Sequence, residues 1–449
     1  MAHVNPAVVI PTFITGARRR AEVKGIIGNY DHATNINDEG ELDRCLSSLE
    51  GVQHLGLVII LVAADRGLEA EAATKVRTVT AAHQGLSTLV ITHVELGLVR
   101  QRMEQLEITD VNQEIGLRGY SAVRNLGLVV ANALGFDAVI FLDDDEVVDD
   151  PEFMRKAVYG LGKLTKKGVP ILAKTGYYIN DQGSYYSKWQ DRWYNRFWQQ
   201  GRAFNDWIRQ AMKGPRLSRS NHVCGGCLAI HKEAFRRLAF DPWIPRGEDL
   251  DYMLDLRMYG SDIWFDNKWQ LRHLPPKTKH EGRRFRQDIF RWLYEHDKLE
   301  YSHSLIDLLR ITPQSLEPYP GPFLERSLQK RIAVTAFLRS LARPDKKAYR
   351  RAAKEALGEA KRYAEQHCSN YFEFQRVWPQ IMDRIDSDQL LTNALVQSAL
   401  LGQEVVLEVA PAAAADAAFK GEALPEVPGR DAQVDPGATS QIRLDLGDA

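Results

Sequence analysis

The sequence predicts an α/β protein with a mostly parallel sheet flanked by helices, followed by a C-terminal α-helical region. Two observations predict this class. Short β-branched apolar runs, typical of buried parallel strands, alternate with helical apolar spacing in the first part of the chain, and the pattern beyond about residue 300 is almost wholly helical. Because ligands bind beyond the carboxyl ends of the strands in doubly wound sheets, the residues that follow the strands are the first site candidates.

The elements follow from the spacing of apolar residues along the chain. Four apolar runs predict strands over residues 7–13, 57–64, 86–93 and 138–142. Val123, Leu126, Val130 and Leu134 recur at helical spacing, which predicts a helix over residues 119–134 with one buried face. Further on, the sequence predicts a helix over residues 248–259 and a strand over residues 262–265.

The chain is predicted to divide into an α/β domain over residues 1–299, a helical domain over 300–401 and a disordered tail over 402–449. The tail is rich in Ala, Pro, Gly and Asp, which is typical of disorder. Turn-forming clusters over residues 14–40 predict an insertion after the first strand, which could act as a mobile lid. Pro344 is expected to break the helical region once.

Composition excludes several classes of protein. With 44% hydrophobic and 26% charged residues, the 449-residue chain can bury a sizeable core. A formal net charge of -1 leaves no global basic field for binding nucleic acid. The four scattered cysteines do not form a disulfide framework, and no apolar run reaches the ~20 residues of a membrane helix. We therefore expect a cytoplasmic protein without a membrane span or an export signal.

Two acidic clusters are candidates for chemistry. Asp143, Asp144, Asp145 and Glu146 follow an apolar strand directly, and buried carboxylates of this kind are costly unless a cation or hydrogen-bond donors compensate them. A divalent metal that also binds a nucleotide's phosphates would compensate them, although a solvated acidic turn is the alternative. The second cluster contains Glu248, Asp249 and Asp251 at the start of a predicted helix. Acidic side chains are common at this position because they interact favourably with the helix dipole.

These motifs, in this order, resemble the nucleotide-sugar glycosyltransferases of the GT-A fold, particularly family 2. The resemblance covers about residues 7–280. VIPTF (9–13) resembles the family's opening strand, and SAVRNLG (121–127) resembles the helix that precedes its metal motif. FLDDDE (141–146) resembles the Asp-x-Asp motif, CGGCLAI (224–230) the acceptor-side strand, and RGEDLD (246–251) the Glu-Asp motif.

The resemblance implies a role for each matching residue. Donor-binding residues would be Pro11, Thr12, Asp65, Arg124, Asp143 and Asp144. A divalent metal, Mn or Mg, would be held by Asp145 and His273, with His280 in reserve. Asp249 would be the general base in an inverting enzyme and Glu248 would hold substrate hydroxyls, whereas a retaining enzyme would not need Asp249 in that role. The following Lys277, Arg283 and Arg284 could neutralise the leaving diphosphate.

Two further segments have competing interpretations. Cys224 and Cys227 have the spacing of a zinc or redox pair but no second pair nearby, so Gly225 and Gly226 are instead predicted to let the backbone approach an acceptor. Eleven aromatic residues lie within residues 177–207; core packing explains at least half of them, and some, including Trp189 and Trp193, are predicted to bind the acceptor.

Residues 326–362 contain twelve Lys or Arg against three acids. A solvated helical face, contact with an anionic membrane, or recognition of a phosphorylated or carboxylated acceptor would each explain this block.

The sequence as a whole predicts a metal-dependent glycosyltransferase. It would move a sugar from a nucleoside-diphosphate sugar donor to a hydroxyl acceptor, either a saccharide or a small molecule. Two alternatives remain. A sugar nucleotidyltransferase also uses magnesium carboxylates, but residues 11–20 are a poor match to its Gly-rich loop. A non-catalytic carbohydrate-binding protein on a transferase fold is the other.

Overall fold

A computed structural model describes residues 4–16, 32–276 and 281–401 of the chain. The strands within these ranges are β1 (Pro6–Thr15), β2 (Thr34–Asn35), β3 (Val58–Ala64), β4 (Thr88–Ile91), β5 (Ala138–Phe141), β6 (Glu146–Val147), β7 (Ala173–Ile179), β8 (Leu217–Arg219), β9 (Leu228–His231) and β10 (Ile263–His273). The four strands predicted before residue 143 are confirmed as β1, β3, β4 and β5, and β10 extends the strand predicted at 262–265.

The helices that surround and follow the sheet are α1 (Leu42–Leu49), α2 (Glu69–Ala81), α3 (His93–Gln105), α4 (Tyr120–Ala133), α5 (Phe153–Ala157), α6 (Gln200–Lys213), α7 (Lys232–Phe235), α8 (Glu248–Met258), α9 (Glu281–Ser302), α10 (Leu328–Ala342), α11 (Lys346–Ala356), α12 (Glu359–His367), α13 (Asn370–Arg384) and α14 (Gln389–Leu401). The predicted helices at 119–134 and 248–259 are confirmed as α4 and α8. Pro344 separates α10 from α11, as predicted, but the helical region is also interrupted between α9 and α10 and between each later pair of helices, so the expectation of a single break is wrong.

The strands form one mixed sheet in the order β4-β3-β1-β5-β9-β7-β10-β6. Strands β4, β3, β1 and β5 are mutually parallel, while β9 runs antiparallel between β5 and β7. The short β2 pairs with β1, and β8 pairs with β10. The predicted α/β class, a sheet flanked by helices with further helices at the C-terminus, is confirmed.

The register of the parallel strands places several polar residues at one edge of the sheet. Val9 of β1 lies opposite Phe141 of β5, and Ile14 of β1 lies opposite Ala64 of β3. The residues that follow each strand therefore meet beyond the same carboxyl ends. This edge carries both Asp65, after β3, and the acidic segment after β5.

Helix α4 is buried on all sides, so the prediction of a single buried face is wrong. Every residue from Ser121 to Ala133 is buried. One face packs closely on the sheet, where a Cβ at Gly127 would come within 2.8 Å of Val9 Cγ1. The C-terminal helices cover the rest: Asn132 donates a hydrogen bond to the carbonyl of Met382, and Thr392 donates one to the carbonyl of Ala133.

The division into domains stays a prediction. Helix α9 runs through residue 299, where the first domain was expected to end. The predicted tail at 402–449 and most of the predicted insertion, residues 17–31, lie outside the described residues, whereas the end of the insertion contributes β2. Across the described ranges, no helix combines the length and the apolar character needed to cross a membrane.

Candidate active site

The acidic segment after β5 is held by the backbone and by Thr12. The N–H of Leu142 donates to the carbonyl of Val9, which fixes the exit of β5 against β1. The hydroxyl of Thr12 donates to Asp144 Oδ2 at 2.6 Å, and both side chains are buried. The Thr12 hydroxyl therefore supports the acidic turn.

Arg124, on α4, ties the two acidic clusters together. Its Nε donates to Glu248 Oε1 at 2.9 Å, its Nη2 to Asp143 Oδ1 at 3.2 Å, and its Nη1 to the carbonyl of Gly225 at 3.0 Å. The guanidinium also lies 4.8 Å from the centre of the Phe141 ring. One buried cation thus brings three sequence-distant motifs to one place, and its contacts with these acids raise its pKa despite burial.

Asp145 and His273 lie together, as the sequence predicts for a metal site. Asp145 is 4% exposed, and among the described residues its Oδ2 has no partner at ordinary hydrogen-bond length; His273 Nε2 lies 3.5 Å away. The N–H of Leu274 donates to the carbonyl of Asp145, which holds the end of β10 beside the acidic turn. Burial raises the pKa of Asp145, but His273 and His32 outweigh it and hold that pKa below its ordinary value.

This pair fits a hard divalent cation. A carboxylate oxygen and an imidazole nitrogen at this spacing can bind one Mn or Mg ion. No group of three or more His, Cys, Asp or Glu side chains that could hold a metal occurs within residues 4–16, 32–276 and 281–401. The remaining ligands of such an ion would have to come from a substrate or from water, as is usual for Mg²⁺ in nucleotide sites.

The neighbouring carboxyls show the cost of gathering acids in a buried place. Burial is the largest cause that raises the pKa of Asp143, to about 6, while Arg124 opposes it. Burial also raises the pKa of Asp144 and Glu146 well above the ordinary range. Glu146 Oε2 accepts the N–H of Asp143 at 2.9 Å. The turn therefore holds several carboxyls for which a bound cation would be favourable.

Gly225 and Gly226 bring the backbone close to these acids. A Cβ at Gly226 would come within 2.2 Å of the Glu146 carboxylate, and one at Gly225 within 2.8 Å of Arg124 Nη2. The N–H of Gly226 donates to the hydroxyl of Tyr178 at 2.7 Å. A side chain at either glycine would therefore displace the acidic turn or Arg124.

The start of α8 presents the second acidic cluster to the same space. Gly247 adopts a left-handed conformation, with φ of 76°, directly before the helix. A Cβ there would come within 2.1 Å of the Arg291 guanidinium, so this glycine lets the backbone pack on Arg291. Glu248 is buried against Arg124, whereas the half-buried Asp249 accepts the N–H of Leu250 through Oδ1.

Two connected cavities open at this edge of the sheet. A cleft of about 660 Å³ contains Asp249, Gly225, Trp189 and His222 in its walls. A smaller cavity of about 100 Å³ contains Pro11, Asp144 and Asp145. The two share six lining residues: His32, Tyr120, Arg124, Asp143, Glu248 and His273.

Most predicted site residues meet at these cavities, but some do not. Asp65 accepts hydrogen bonds from the Thr15 hydroxyl and the Gly16 N–H outside the walls of both cavities. Trp193 is 59% exposed and does not line the cleft. Thr12 and Gly226 lie behind the walls rather than in them. Lys277 and His280 are outside the described residues, as is the side chain of Arg283.

Cys224 and Cys227 are buried free thiols. Burial raises the pKa of both well above the ordinary range. They therefore stay protonated, which does not suit thiolate ligation or thiol exchange.

The aromatic segment serves both packing and the cleft. Trp198 and Trp207 are buried in the core, and Trp198 packs edge-on against Phe285 of α9. Tyr185, Tyr186 and Trp189 line the cleft.

Several residues of the cleft were not expected from the sequence, notably Tyr120, Tyr178, Arg291 and Tyr319. Tyr120 directly precedes the motif at 121–127, so its position in the sequence could have indicated that it lies at the site. Arg291 and Tyr319 come from the region beyond α8, where helical spacing reveals which residues share a face but not which face meets a cleft. The packing of α9 brings Arg291 there, whereas Tyr319 comes from the segment between α9 and α10.

A scan against models of known protein families finds no match, and no curated protein matches by sequence. Solved structures give distant likenesses. A mannosyltransferase, PcManGT from Pyrobaculum calidifontis, in complex with GDP-Man and Mn²⁺, is 13% identical over 89% of this chain and 88% of its own, with a TM-score of 0.41.

Two other likenesses are of the same kind. GalNAc-T7 with UDP, GalNAc and Mn²⁺ is 14% identical over 67% of this chain and 52% of its own, with a TM-score of 0.36. S. aureus TarS 1-349 in complex with UDP is 10% identical over 84% of this chain and 92% of its own, with a TM-score of 0.34. At such low sequence identities and TM-scores, these similarities do not indicate the activity of this chain. Any functional conclusion has to come from its own residues.

Proposed function

We propose that the protein is a metal-dependent glycosyltransferase that uses a nucleoside-diphosphate sugar. One observation carries the proposal: the buried Asp145 Oδ2 has no hydrogen-bond partner within the described part of the chain and faces His273, beyond the carboxyl end of β5 and in a cavity that continues past Asp249. A buried carboxylate oxygen in such a place calls for a cation. A metal diphosphate in the small cavity would leave the sugar facing the larger cleft.

The chain's own residues would prepare the donor. A bound Mg or Mn ion would neutralise the diphosphate and stabilise its growing charge. Asp145 and His273 would hold that ion. Arg124 would hold the side chains of Asp143 and Glu248 in position beside the donor sugar. Tyr120 and Pro11 would shape the inner cavity around the donor.

Transfer needs one bond to form and one to break. The acceptor hydroxyl oxygen forms a bond to the anomeric carbon, and the bond between that carbon and the diphosphate oxygen breaks, its electron pair leaving with the diphosphate. In an inverting reaction, the hydroxyl proton passes to Asp249, which lies in the cleft wall beside Gly225. We propose this inverting route; NMR of the product's anomeric configuration tests it, and retention would remove Asp249 from the role of base.

A binding panel tests the proposal. Nucleoside diphosphates and their sugar conjugates are titrated with and without Mn or Mg while thermal stability is followed, because a ligand of the native state raises stability. We expect one nucleotide class to stabilise the protein only with metal. Asp145→Ala should abolish that shift, whereas Asp206→Ala, which removes an acid on α6 outside the cleft walls, should preserve it.

Asp249→Asn separates binding from transfer. It should leave metal-dependent donor binding unchanged and lower kcat by about a thousandfold, since general bases contribute ~10²–10⁴. Steady-state release of nucleoside diphosphate is the measurement. An unchanged kcat would show that Asp249 is not the base.

The two alternatives give different results in the same assays. Release of inorganic diphosphate from a nucleoside triphosphate and a sugar phosphate would identify a sugar nucleotidyltransferase. A protein that binds no donor with any metal would instead be a non-catalytic carbohydrate-binding protein.

For residues 326–362 we propose peripheral contact with an anionic membrane. Val334, Phe337 and Leu341 form an exposed apolar stripe on α10, next to exposed basic residues such as Lys330. Apolar and basic side chains on one helix suit an anionic lipid surface. Cosedimentation with vesicles containing anionic lipid should be lost in Phe337→Ser, and equal binding to neutral vesicles would contradict the proposal.

A further inference from the structure

A stripe of charged residues on α9 faces the outer part of the cleft. Arg284, Asp288 and Arg291 recur at intervals of four and three residues, which places them on one helix face. All three line the cleft of about 660 Å³. This face of α9 is therefore part of the wall that an acceptor would meet.

Arg291 is the most deeply placed of the three. It is 8% exposed, its guanidinium packs against the backbone at Gly247, and its Cζ lies 4.6 Å from the Trp292 ring centre. Among the described residues its Nε has no hydrogen-bond partner, and Glu295 Oε1 lies 3.7 Å from it. Burial lowers the pKa of Arg291, but Tyr319, Glu295, Asp249 and Asp288 outweigh burial and hold that pKa above its ordinary value. Arg291 is therefore a buried cation in the wall of the cleft.

Two more arginines flank this stripe. Arg246 Nη1 donates to Asp288 Oδ1 at 3.0 Å from the loop before α8. Arg339, on α10, lies 4.3 Å from the Phe285 ring centre and donates to Asn195 Oδ1. Arg246 and Arg339 also line the cleft. Together with Arg284 and Arg291 they make four cations, which we call the arginine cluster, around Asp288.

The arginine cluster is separate from the proposed donor site. None of its four members lines the small cavity that contains Asp145, so Arg284, which the sequence suggested for the leaving diphosphate, is assigned here to the acceptor instead. Within the described residues, four acids line the cleft: Asp143, Glu248, Asp249 and Asp288. Asp143 and Glu248 pair with Arg124 and also line the small cavity, which leaves Asp249 and Asp288 beside the four arginines. The cleft is therefore acidic where the metal diphosphate is expected and basic beyond Asp249.

We propose that the acceptor carries an anionic group, a phosphate monoester or a carboxylate, which binds the arginine cluster while its hydroxyl lies at Asp249. This inference rests on the proposed transferase function and adds the class of acceptor to it. Arginine forks match both anions in geometry and charge. Because Gly247 packs on Arg291 and directly precedes Glu248 and Asp249, an anion held here is oriented relative to the proposed base.

The first experiment measures anion binding without donor or metal. Methyl phosphate is titrated in the presence of EDTA, and binding is followed by calorimetry. Arg284→Gln and Arg339→Gln should each weaken binding by about tenfold, as expected for the loss of a charge-assisted hydrogen bond. Asp288→Asn, which removes the central acid, should tighten binding.

A matched control and a competition complete the test. Arg350→Gln removes the same charge from an exposed position on α11 that does not line the cleft, and it should leave binding unchanged. Glucose 6-phosphate and glucuronate should compete with methyl phosphate, whereas glucose should not. The stronger competitor identifies whether the site favours phosphate or carboxylate.

The outcomes separate this inference from the proposed function. No binding of methyl phosphate, or equal affinity in wild type, Arg284→Gln and Arg339→Gln, would overturn the anion site even if donor and metal bind. If methyl phosphate binds with the expected pattern of mutant effects but no donor binds, the anion site is supported and the proposed transferase function is wrong. With a turned-over donor, Arg284→Gln should raise KM about tenfold for the anionic acceptor and leave KM for the donor unchanged.

Discussion

The protein buries two groups of acids, and they are compensated in different ways. In the first group, Lys298 Nζ lies 2.8–2.9 Å from a carboxylate oxygen of each of Asp241, Asp251 and Asp255, and all four side chains are at most 1% exposed. In the second, the segment after β5, Arg124 contacts Asp143, while Asp145 Oδ2 has no lysine or arginine partner among the described residues and lies 3.5 Å from His273 Nε2. The first group contains its own cation at its centre; the second opens to a cavity.

This difference separates a structural group from a candidate site. The Lys298 group links α8 to α9, and Tyr294 and Tyr371 close it on two sides: the Tyr294 hydroxyl donates to Asp241 and the Tyr371 ring lies 3.7 Å from Lys298 Nζ. Nothing from solvent can reach it. The β5 segment keeps an acid that a ligand can reach, so its compensation can come from outside the chain.

The largest expected effect is on the Lys298 group. Lys298→Met leaves three buried acids without their cation and should lower the free energy of unfolding by about 3–5 kcal/mol. Urea denaturation at pH 7 measures it. A loss below about 1 kcal/mol would mean that the group does not hold α8 to α9. Lys330→Met, an exposed lysine on α10, is the matched control and should change little.

A smaller effect is expected at the glycine behind the acidic turn. In Gly226→Ala the new Cβ would meet the Glu146 carboxylate, so we expect a loss of about 1–3 kcal/mol from overpacking. Thermal denaturation of Gly226→Ala and of Gly226→Ala with Glu146→Ala tests the cause. The second substitution should recover part of the loss, and no recovery would place the strain elsewhere.

Removing Asp143 from the second group and removing Asp241 from the first should change stability in opposite directions. At pH 7, Asp143→Asn should raise the free energy of unfolding by about 1 kcal/mol, because burial raises the pKa of Asp143 to about 6; the gain is small since 37% of the side chain is exposed. Asp241→Asn should lower it, because Asp241 is a partner of Lys298. If urea denaturation showed that both substitutions change the free energy of unfolding in the same direction, the proposed difference between the two groups would be wrong.

The smallest expected effect is on the pH dependence of stability. Burial raises the pKa of Asp255, so the native state binds more protons than the unfolded state between the ordinary pKa of an aspartate and the raised one. When the pH falls through this range, the native state binds the proton more readily than the unfolded state, so protonation of Asp255 stabilises the native state. From pH 8 to pH 5, wild type should gain stability relative to Asp255→Asn. A constant difference across this range would show that Asp255 keeps an ordinary pKa.

The amino-acid sequence was enough to predict the α/β class, the four N-terminal strands, helices α4 and α8, and the acidic segment at the end of β5. These are local properties: apolar periodicity specifies which residues are buried, and a strand that ends in acids delivers them to a predictable edge of the sheet. The pairing of Asp145 with His273 also followed, through the resemblance in motif order.

Which neighbours compensate the charges of the buried acids, and which other residues line the cleft, became clear only from the tertiary structure. Sequence spacing could not show that α4 would be covered on every side, that Trp193 would lie outside the cleft, or that Lys298 would neutralise Asp251 rather than leave it for catalysis. Nor could it show that α9 would place Arg284 and Arg291 in the wall of the same cleft as Asp249. Each depends on contacts between residues far apart in sequence, and the free energy of a buried charge depends on those neighbours rather than on its own segment.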